Sequence, residues 1–351
     1  MDPDQEKNKK SVINPRGGNY QRKELMLDEY VSGILAGDRI ILSRAITLLE
    51  STLESHRQLA RELVEKCLPH SGNSFRLGIT GSPGVGKSTF IESFGLDQIQ
   101  KGRKVAVLAI DPSSGVTRGS ILGDKTRMEK LSRAAAAYIR PSAAGDSLGG
   151  VARKTRETIL LCEAAGFDMI IIETVGVGQS ETAVHSMVDF FLLLLLPGAG
   201  DELQGIKRGV MEMADLIAVN KADNDRMLAA QQAKQAYQNA VHLFPAKENG
   251  WPVKVMLCSA LENTGVIQIA EQLERFKLEM KAKNLFESNR RSQARYWMFE
   301  YINAKLKDRF FNHPKVKKQI KIIEDQVLKG EVSSFKAGDT LFDLFNEKNN
   351  F

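Results

Sequence analysis

Long hydrophobic runs are missing from this sequence. The longest, FFLLLLL from Phe190 to Leu196, is far shorter than the roughly 20 residues a helix needs to cross a bilayer. It reads instead as a strand buried on both faces. Cysteine is scarce: Cys67, Cys162 and Cys258 lie far apart with no C-x-x-C spacing. That excludes a disulfide framework and points to a reducing compartment. The five histidines, His56, His70, His185, His242 and His313, are scattered and pair with no cysteine cluster. A Cys/His metal relay is therefore not visible. The N-terminus has no apolar core and carries early acids, so neither a secretory signal nor a transit peptide is expected, and the expected location is cytoplasmic. Net charge is +6, with most of the excess after Leu278, but acids are interleaved and few aromatics flank the charges. This predicts a solvated helical surface rather than a nucleic-acid patch, and no membrane partner.

What the chain does contain is 351 residues of ordinary globular composition, 42% hydrophobic and 26% charged. Residues 1–23 read as a disordered tail. Residues 24–70 read as a helical extension of two helices, LDEYVSGILAG and a long one from Asp38 to Leu68, with Asp38 placed to cap the second. Pro69 to Asn73 is a breaker cluster. From 71 to 275 short apolar runs alternate with helical segments: FRLGIT, KVAVLAI, FDMIIIE, DFFLLLLL, DLIAVN and PVKVMLCSA. That alternation predicts an α/β domain with a mostly parallel sheet and helices on both faces. Ligands of such sheets sit at the carboxyl ends of the strands. Residues 276–351 read as amphipathic helices, SQARYWMFEYINAKLKDRFF and VKKQIKIIEDQVLKG, with no strand to cover. Their apolar faces need cover, either by packing back on the core or from a partner subunit, and a stripe including Trp297, Tyr301, Ile320, Ile323 and Val327 is expected to be exposed and to build a homodimer. A chain ending near Phe276 is expected to lose that association and keep nucleotide binding.

The stretch GSPGVGKST, from Gly81 to Thr89, follows an expected strand and opens an expected helix. The loop of Gly81, Ser82, Pro83, Gly84, Val85 and Gly86 would turn the backbone N–H groups of its residues other than Pro83 toward phosphate oxygens. Lys87 would neutralise the β- and γ-phosphates, and Ser88 would offer its hydroxyl to Mg²⁺. Base choice falls to NKAD, where Asp223 can accept from guanine N1–H and N2. Asn220 can brace the loop, and the Lys221 stem can lie on the ring. Ser259, Ala260 and Leu261 in CSALENTG resemble the S-A-x element whose backbone meets guanine O6. GTP is expected over ATP. Asp111 and Glu173 end strands on the phosphate side, and Asp124 is a third candidate for magnesium. Glu173-x-x-Gly176 resembles the D-x-x-G switch with glutamate for aspartate. Val177, not glutamine, follows Gly176, which predicts slow intrinsic hydrolysis that a partner completes.

Taken together, GSPGVGKST, AIDPSS, GSILGDKTRM, RPSAAGDSLGG, ETVGVGQSE, LPGAGDELQGIKRGVMEMADLIAVNKAD and CSALENTG resemble the MeaB/ArgK/MMAA family of GTPases from about Leu27 to the C-terminal region. The resemblance implies a SIMIBI-type phosphate-loop fold with a C-terminal helical dimerisation arm. It implies a homodimeric, GTP-hydrolysing chaperone of an adenosylcobalamin-dependent acyl-CoA mutase, chiefly methylmalonyl-CoA mutase, with an adenosyltransferase as a further partner. It also implies that Asp111, Asp124 and Glu173 lie near magnesium. Pro197 to Lys207, with Gln204 and Lys207, would couple nucleotide state to the mutase. The chain departs from the family at DPSSGVTRGS, where Gly115 replaces a proline and Arg118 a glycine. Arg118 is either a solvated surface arginine or a contact to the transition state in cis. The alternative function is a metallochaperone-type GTPase for a nickel enzyme, which the scattered histidines and unpaired cysteines disfavour.

Overall fold

Alternation within each apolar run decides the architecture. Along Phe190–Leu195, Phe191, Leu193 and Leu195 enter one hydrophobic core, while Phe190, Leu192 and Leu194 enter another. Met169–Thr174 divides the same way, with Ile170 and Ile172 on one side and Met169 and Ile171 on the other. Both faces of the sheet are therefore covered, which is why its strands read as unbroken hydrophobic runs. The computed structural model describes residues 25–110, 128–140, 148–174, 180–198 and 208–347.

Among the described residues, seven parallel strands form the sheet: β1 Phe75–Gly81, β2 Val105–Ile110, β3 Ala137–Arg140, β4 Met169–Thr174, β5 Phe190–Leu195, β6 Leu216–Val219 and β7 Lys254–Leu257. Their order is β3-β2-β4-β1-β5-β6-β7. The chain reverses its direction of travel across the sheet at β1, between β4 and β5. A crevice opens at the carboxyl ends of the strands at such a place. One face carries α1 Leu27–Leu35, α2 Arg39–Glu50, α3 Glu54–Cys67, α6 Leu148–Ala164, α7 Ser180–His185, α8 Arg208–Met213 and α9 Met227–Val241. The other carries α4 Lys87–Gln100, α5 Glu129–Arg133 and α10 Val266–Ala282. The chain continues through α11 Leu285–Phe311, α12 Pro314–Leu328 and α13 Ser334–Asn346. No helix among the described residues is long and apolar enough to cross a membrane.

Asp38 caps α2 as expected, its Oδ1 accepting from Ile40 N at 2.7 Å and Ile41 N at 3.1 Å. The long helix expected from Asp38 to Leu68 is two helices. Ser51 leaves the helical region (ψ 146°), and its hydroxyl accepts from Leu53 N at 3.3 Å and bonds His56 Nδ1 at 2.8 Å. A serine offering the backbone a local partner competes with helix continuation at this point. The edge strand β3 and the last helix α13 had no counterpart in the expected elements.

The C-terminal helices differ most from expectation. The boundary expected at 275/276 falls inside α10. The first half of α11 belongs to the same core as the sheet: Phe286 stacks on Phe75 with ring centroids 6.3 Å apart. Arg290 makes a bidentate pair with Asp189 at 2.8 and 2.7 Å, and also donates to Ser74 O at 2.6 Å and to Gly72 O. Gln293 Nε2 donates to Val188 O at 2.7 Å and Trp297 Nε1 to Ser186 O at 3.1 Å. Trp297, expected on an exposed stripe, is buried against its own chain because α7 and the turn after it supply the cover. Ile323 is buried as well, whereas Tyr301 is exposed. A chain ending near Phe276, expected to keep nucleotide binding, would lack these core contacts. The expected tail 1–23 lies outside the described residues.

Candidate nucleotide site

β1 delivers Gly81 to the carboxyl edge of the sheet, and the loop to Gly86 turns there into α4. Two positions in this turn exclude a side chain. A Cβ on Gly81 would stand 2.4 Å from Leu194 O, and one on Gly86, at φ +95°, would stand 2.8 Å from Asn220 Nδ2. Val85 is fully buried under the loop, while Pro83, Gly84 and Thr89 face solvent. Lys87 is buried, and its ammonium donates to Gly81 O at 2.8 Å and Ser82 O at 3.2 Å, so its charge lies within the curve of the loop. Ser88 Oγ donates to Glu173 Oε1 at 3.4 Å. Glu173, on the second-last residue of β4, is only 6% exposed. A hydroxyl and a carboxylate oxygen thus converge at the start of α4, a donor set suited to a hard cation such as Mg²⁺. The amino end of a helix adds favourable partial charge for phosphate.

On the other side of β1, β6 and β7 build the corner expected to meet the base. Asn220 is its hub: Nδ2 donates to Val85 O at 2.8 Å, and Oδ1 accepts from Ala260 N at 3.0 Å and Cys258 Sγ at 3.5 Å. The asparagine therefore ties the phosphate loop to the S-A element. Lys221 turns through φ +59° to bring Asp223 under Ser259, whose Oγ donates to Asp223 Oδ2 at 2.6 Å. Ala222 N donates to Cys258 O at 3.0 Å, which locks the two strand exits together. Ser259 and Thr264 exchange backbone hydrogen bonds at 2.9 and 3.0 Å and close a short loop with Leu261, 81% exposed, at its tip. Gly265 ends it: a Cβ there would meet Leu257 O at 2.4 Å. Burial pushes the Cys258 thiol up to about 12, and all three cysteines are free and buried. They serve as core groups rather than reactive ones.

The structure brings Gly81, Ser82, Lys87, Ser88, Glu173, Asn220, Lys221, Asp223, Ser259 and Ala260 to one edge of the sheet. Asp111, Asp124, Gln204 and Lys207 lie outside the described residues, as do Arg118 and Gly176 to Gln179. Sequence reasoning missed several supports of the site. Ser93 Oγ, on α4, donates to Asn263 Oδ1 and hooks the S-A loop to the phosphate-loop helix. Glu92 Oε1, one turn after Ser88, accepts from Lys130 N at 2.7 Å and Leu131 N at 3.3 Å, holding α5 against α4. The left-handed Asn263 (φ +56°) was the one local signal, since asparagine tolerates that region best after glycine.

Comparison with known proteins agrees with this geometry. The family model described as methylmalonyl Co-A mutase-associated GTPase MeaB matches residues 42–315. GTPase ArgK of Escherichia coli is 46% identical over 288 residues, 82% of this chain and 87% of its own. The mitochondrial methylmalonic aciduria type A homolog of Mus musculus is 42% identical over 341 residues, 94% of this chain and 82% of its own. A crystal structure described as an LAO/AO transport system kinase superposes with a TM-score of 0.73 at 36% identity, covering 91% of this chain and 99% of that one. A phosphate loop and a guanine corner braced by one asparagine are what a GTPase needs, and this chain belongs to the MeaB family of methylmalonyl-CoA mutase-associated GTPases.

Proposed function

We propose that this GTPase is the chaperone of an adenosylcobalamin-dependent acyl-CoA mutase, gating cofactor loading and protecting the loaded mutase. The observation that carries the reading is the match of a mutase-associated GTPase family over most of the chain, supported by the Asn220–Val85 and Ser259–Asp223 hydrogen bonds, which suit a guanine-binding corner. Asp223 reads guanine N1–H and N2, the Lys221 stem covers the ring, and the backbone of the Ser259–Leu261 element meets O6. The backbone from Ser82 to Gly86 cradles the phosphates, Thr89 flanks them at the first turn of α4, and Lys87 neutralises the β- and γ-phosphates.

Ser88 and Glu173 would hold Mg²⁺, with Asp111 and Asp124 as the further carboxylates. The ion, when bound, offsets charge on the phosphate oxygens. Water attacks the γ-phosphorus in line, giving GDP and phosphate. Val177 leaves the site without a glutamine at the water-orienting position, so basal turnover is low. The segment from Pro197 to Lys207 starts where β5 leaves the sheet beside β1. Held against the nucleotide by the mutase, Gln204 orients water and Lys207 adds positive charge.

The exposed apolar residues Phe299, Ile302, Leu306, Phe335 and Phe342 of the C-terminal helices support a two-fold homodimer. Light scattering that finds a monomer at micromolar concentration removes that part of the reading. An adenosyltransferase is a further partner, as supplier of the cofactor.

GTP turnover with and without purified methylmalonyl-CoA mutase tests the function. Stimulation of at least tenfold is expected in the parent chain, and little in the Gln204→Ala/Lys207→Ala variant. GTP affinity of the variant should stay within about threefold, under ~1 kcal/mol. No stimulation by any acyl-CoA mutase tested overturns the assignment. Stimulation that survives the double substitution overturns the role of the segment alone.

A further inference from the structure

β1 and β4 run side by side until Ile79 pairs with Glu173, and there their ladder ends. Beyond that point β1 stays with β5, Gly81 opposite Leu194, while β4 stays with β2, Thr174 opposite Ile110. The two strands part like the arms of a fork. The fork opens where Ser88 and Glu173 meet and where a strand-end ligand sits. A side-chain hydrogen bond spans it: Thr174 Oγ1 donates to Thr80 Oγ1 at 2.8 Å. Both threonines are fully buried.

Strand alternation places this bond opposite Glu173. Ile171 and Glu173 point to the α4 face, where Glu173 Oε1 lies 3.4 Å from Ser88 Oγ. Thr174 and Thr80 point to the other face, which α7 covers so closely that a Cβ on Gly78 would meet Phe191, Val184 and Val188 within 2.7–3.1 Å. The hydroxyl pair therefore sits in tight, dry packing where a hydrogen bond cannot be exchanged for water. β-branching leaves each threonine few rotamers, so the bond sets backbone position and not merely side-chain position. A shift of the β4 backbone that carries Glu173 away from the phosphate loop moves Thr174 with it and breaks the bond.

We propose that Thr80 and Thr174 are positioning residues for hydrolysis: their hydroxyl bond holds the β1/β4 fork at the width that keeps Glu173 against Ser88. This rests on the reading of Glu173 as a ligand of the nucleotide-bound magnesium. Valine has the shape of threonine, and replacing both partners of a buried hydrogen bond is near neutral for stability. The double variant Thr80→Val/Thr174→Val is thus expected to fold, to bind GDP within twofold of the parent, and to hydrolyse bound GTP in a single turnover at least fivefold more slowly. Thr174→Val alone is expected to be equally slow, since either loss breaks the one bond. Thr174→Ser keeps the hydroxyl and is expected to hydrolyse within twofold of the parent. A double variant slowed by less than fivefold overturns the proposal, and so does a Thr174→Ser variant as slow as Thr174→Val. If Thr174→Val does not fold, Thr80→Val reports the same bond from the other strand. Glu173→Gln, measured alongside, separates the two readings. If it hydrolyses at the parent rate, the role of Glu173 is wrong. If it is slow while the threonine variants are not, only the fork is wrong.

Discussion

Asn220 Nδ2 and Val85 O, 135 residues apart in sequence, are joined by a 2.8 Å hydrogen bond. The same amide accepts from Ala260 N at 3.0 Å, so one side chain fixes the phosphate loop and the base loop relative to each other. Asn220→Ala leaves Val85 O and Ala260 N buried without a side-chain partner, each at a cost of about 1–3 kcal/mol. GDP affinity measured by calorimetry is expected to fall by one to two orders of magnitude. Unchanged affinity would mean that the loops hold their spacing without the amide.

Asp223 is buried beneath the base corner and already accepts from Ser259 Oγ at 2.6 Å. Its remaining acceptor capacity can meet the N1–H and N2 donors that guanine has and adenine lacks. Asp223→Asn should weaken GTP by roughly 2–4 kcal/mol through loss of a charge-assisted bidentate contact. It should also improve xanthosine triphosphate, because the amide can donate to O2. Equal binding of ATP and GTP by the parent chain would refute the guanine assignment.

That these motifs would meet at one edge of the sheet was legible, because phosphate and guanine chemistry call for residue types at short spacings, as in Gly86-Lys87-Ser88 and Asn220-Lys221-Ala222-Asp223. The central strands were legible because two covered faces force continuous apolar runs. β3, Ala137–Arg140, escaped because a four-residue edge strand covered less completely needs no such run. Thr80–Thr174 and Ser93–Asn263 escaped for another reason. Those pairs are set by the register of strands and helices distant in sequence, and no local pattern marks them. Trp297 was misplaced because an amphipathic stripe shows that a helix needs cover but not which surface provides it.

Glu163 gives the fold an acid-sensitive anchor at the opposite end of the sheet. It is fully buried, pairs with Arg76 at 2.9 Å, and accepts from Ser74 Oγ at 2.6 Å and Gly72 N at 2.8 Å. Burial pushes its carboxyl up, but the Arg76 charge and these hydrogen bonds outweigh it and hold the folded-state value below the ordinary 4.5. A carboxyl depressed on folding adds stability that is present above 4.5 and is lost as pH falls through the folded-state value. Glu163→Gln is expected to be less stable by about 3–5 kcal/mol at pH 7, because Arg76 loses its counter-charge. The gap between the two proteins should narrow as pH drops below 4.5. Urea unfolding at pH 7 and near pH 4 measures both, and a gap that stays constant would show that Glu163 does not titrate differently in the two states.

The last prediction concerns what α11 does for the domain it follows. Arg290 and Asp189 are 10% and 1% exposed, and the guanidinium also lies over the Phe286 ring at 4.5 Å. Asp189 in turn accepts from Arg76 N at 2.8 Å at the base of β1, the strand that leads to the phosphate loop. Removing one member of such a pair leaves a buried charge uncompensated, at a cost of about 3–5 kcal/mol. Arg290→Ala should therefore lower the urea midpoint markedly. Arg290→Met, which keeps most of the contact with Phe286, should recover little, because the lost term is the charge pair and not the packing. Asp189→Asn with Arg290→Met removes both charges and is expected to recover a large part of the loss. GDP affinity of the folded fraction should change less than threefold in all three, since the pair lies at the amino end of the sheet, away from Lys87 and Asp223. If Arg290→Ala unfolds at the parent midpoint, α11 is an appendage after all, and a chain ending near Phe276 would fold and bind GDP like the parent.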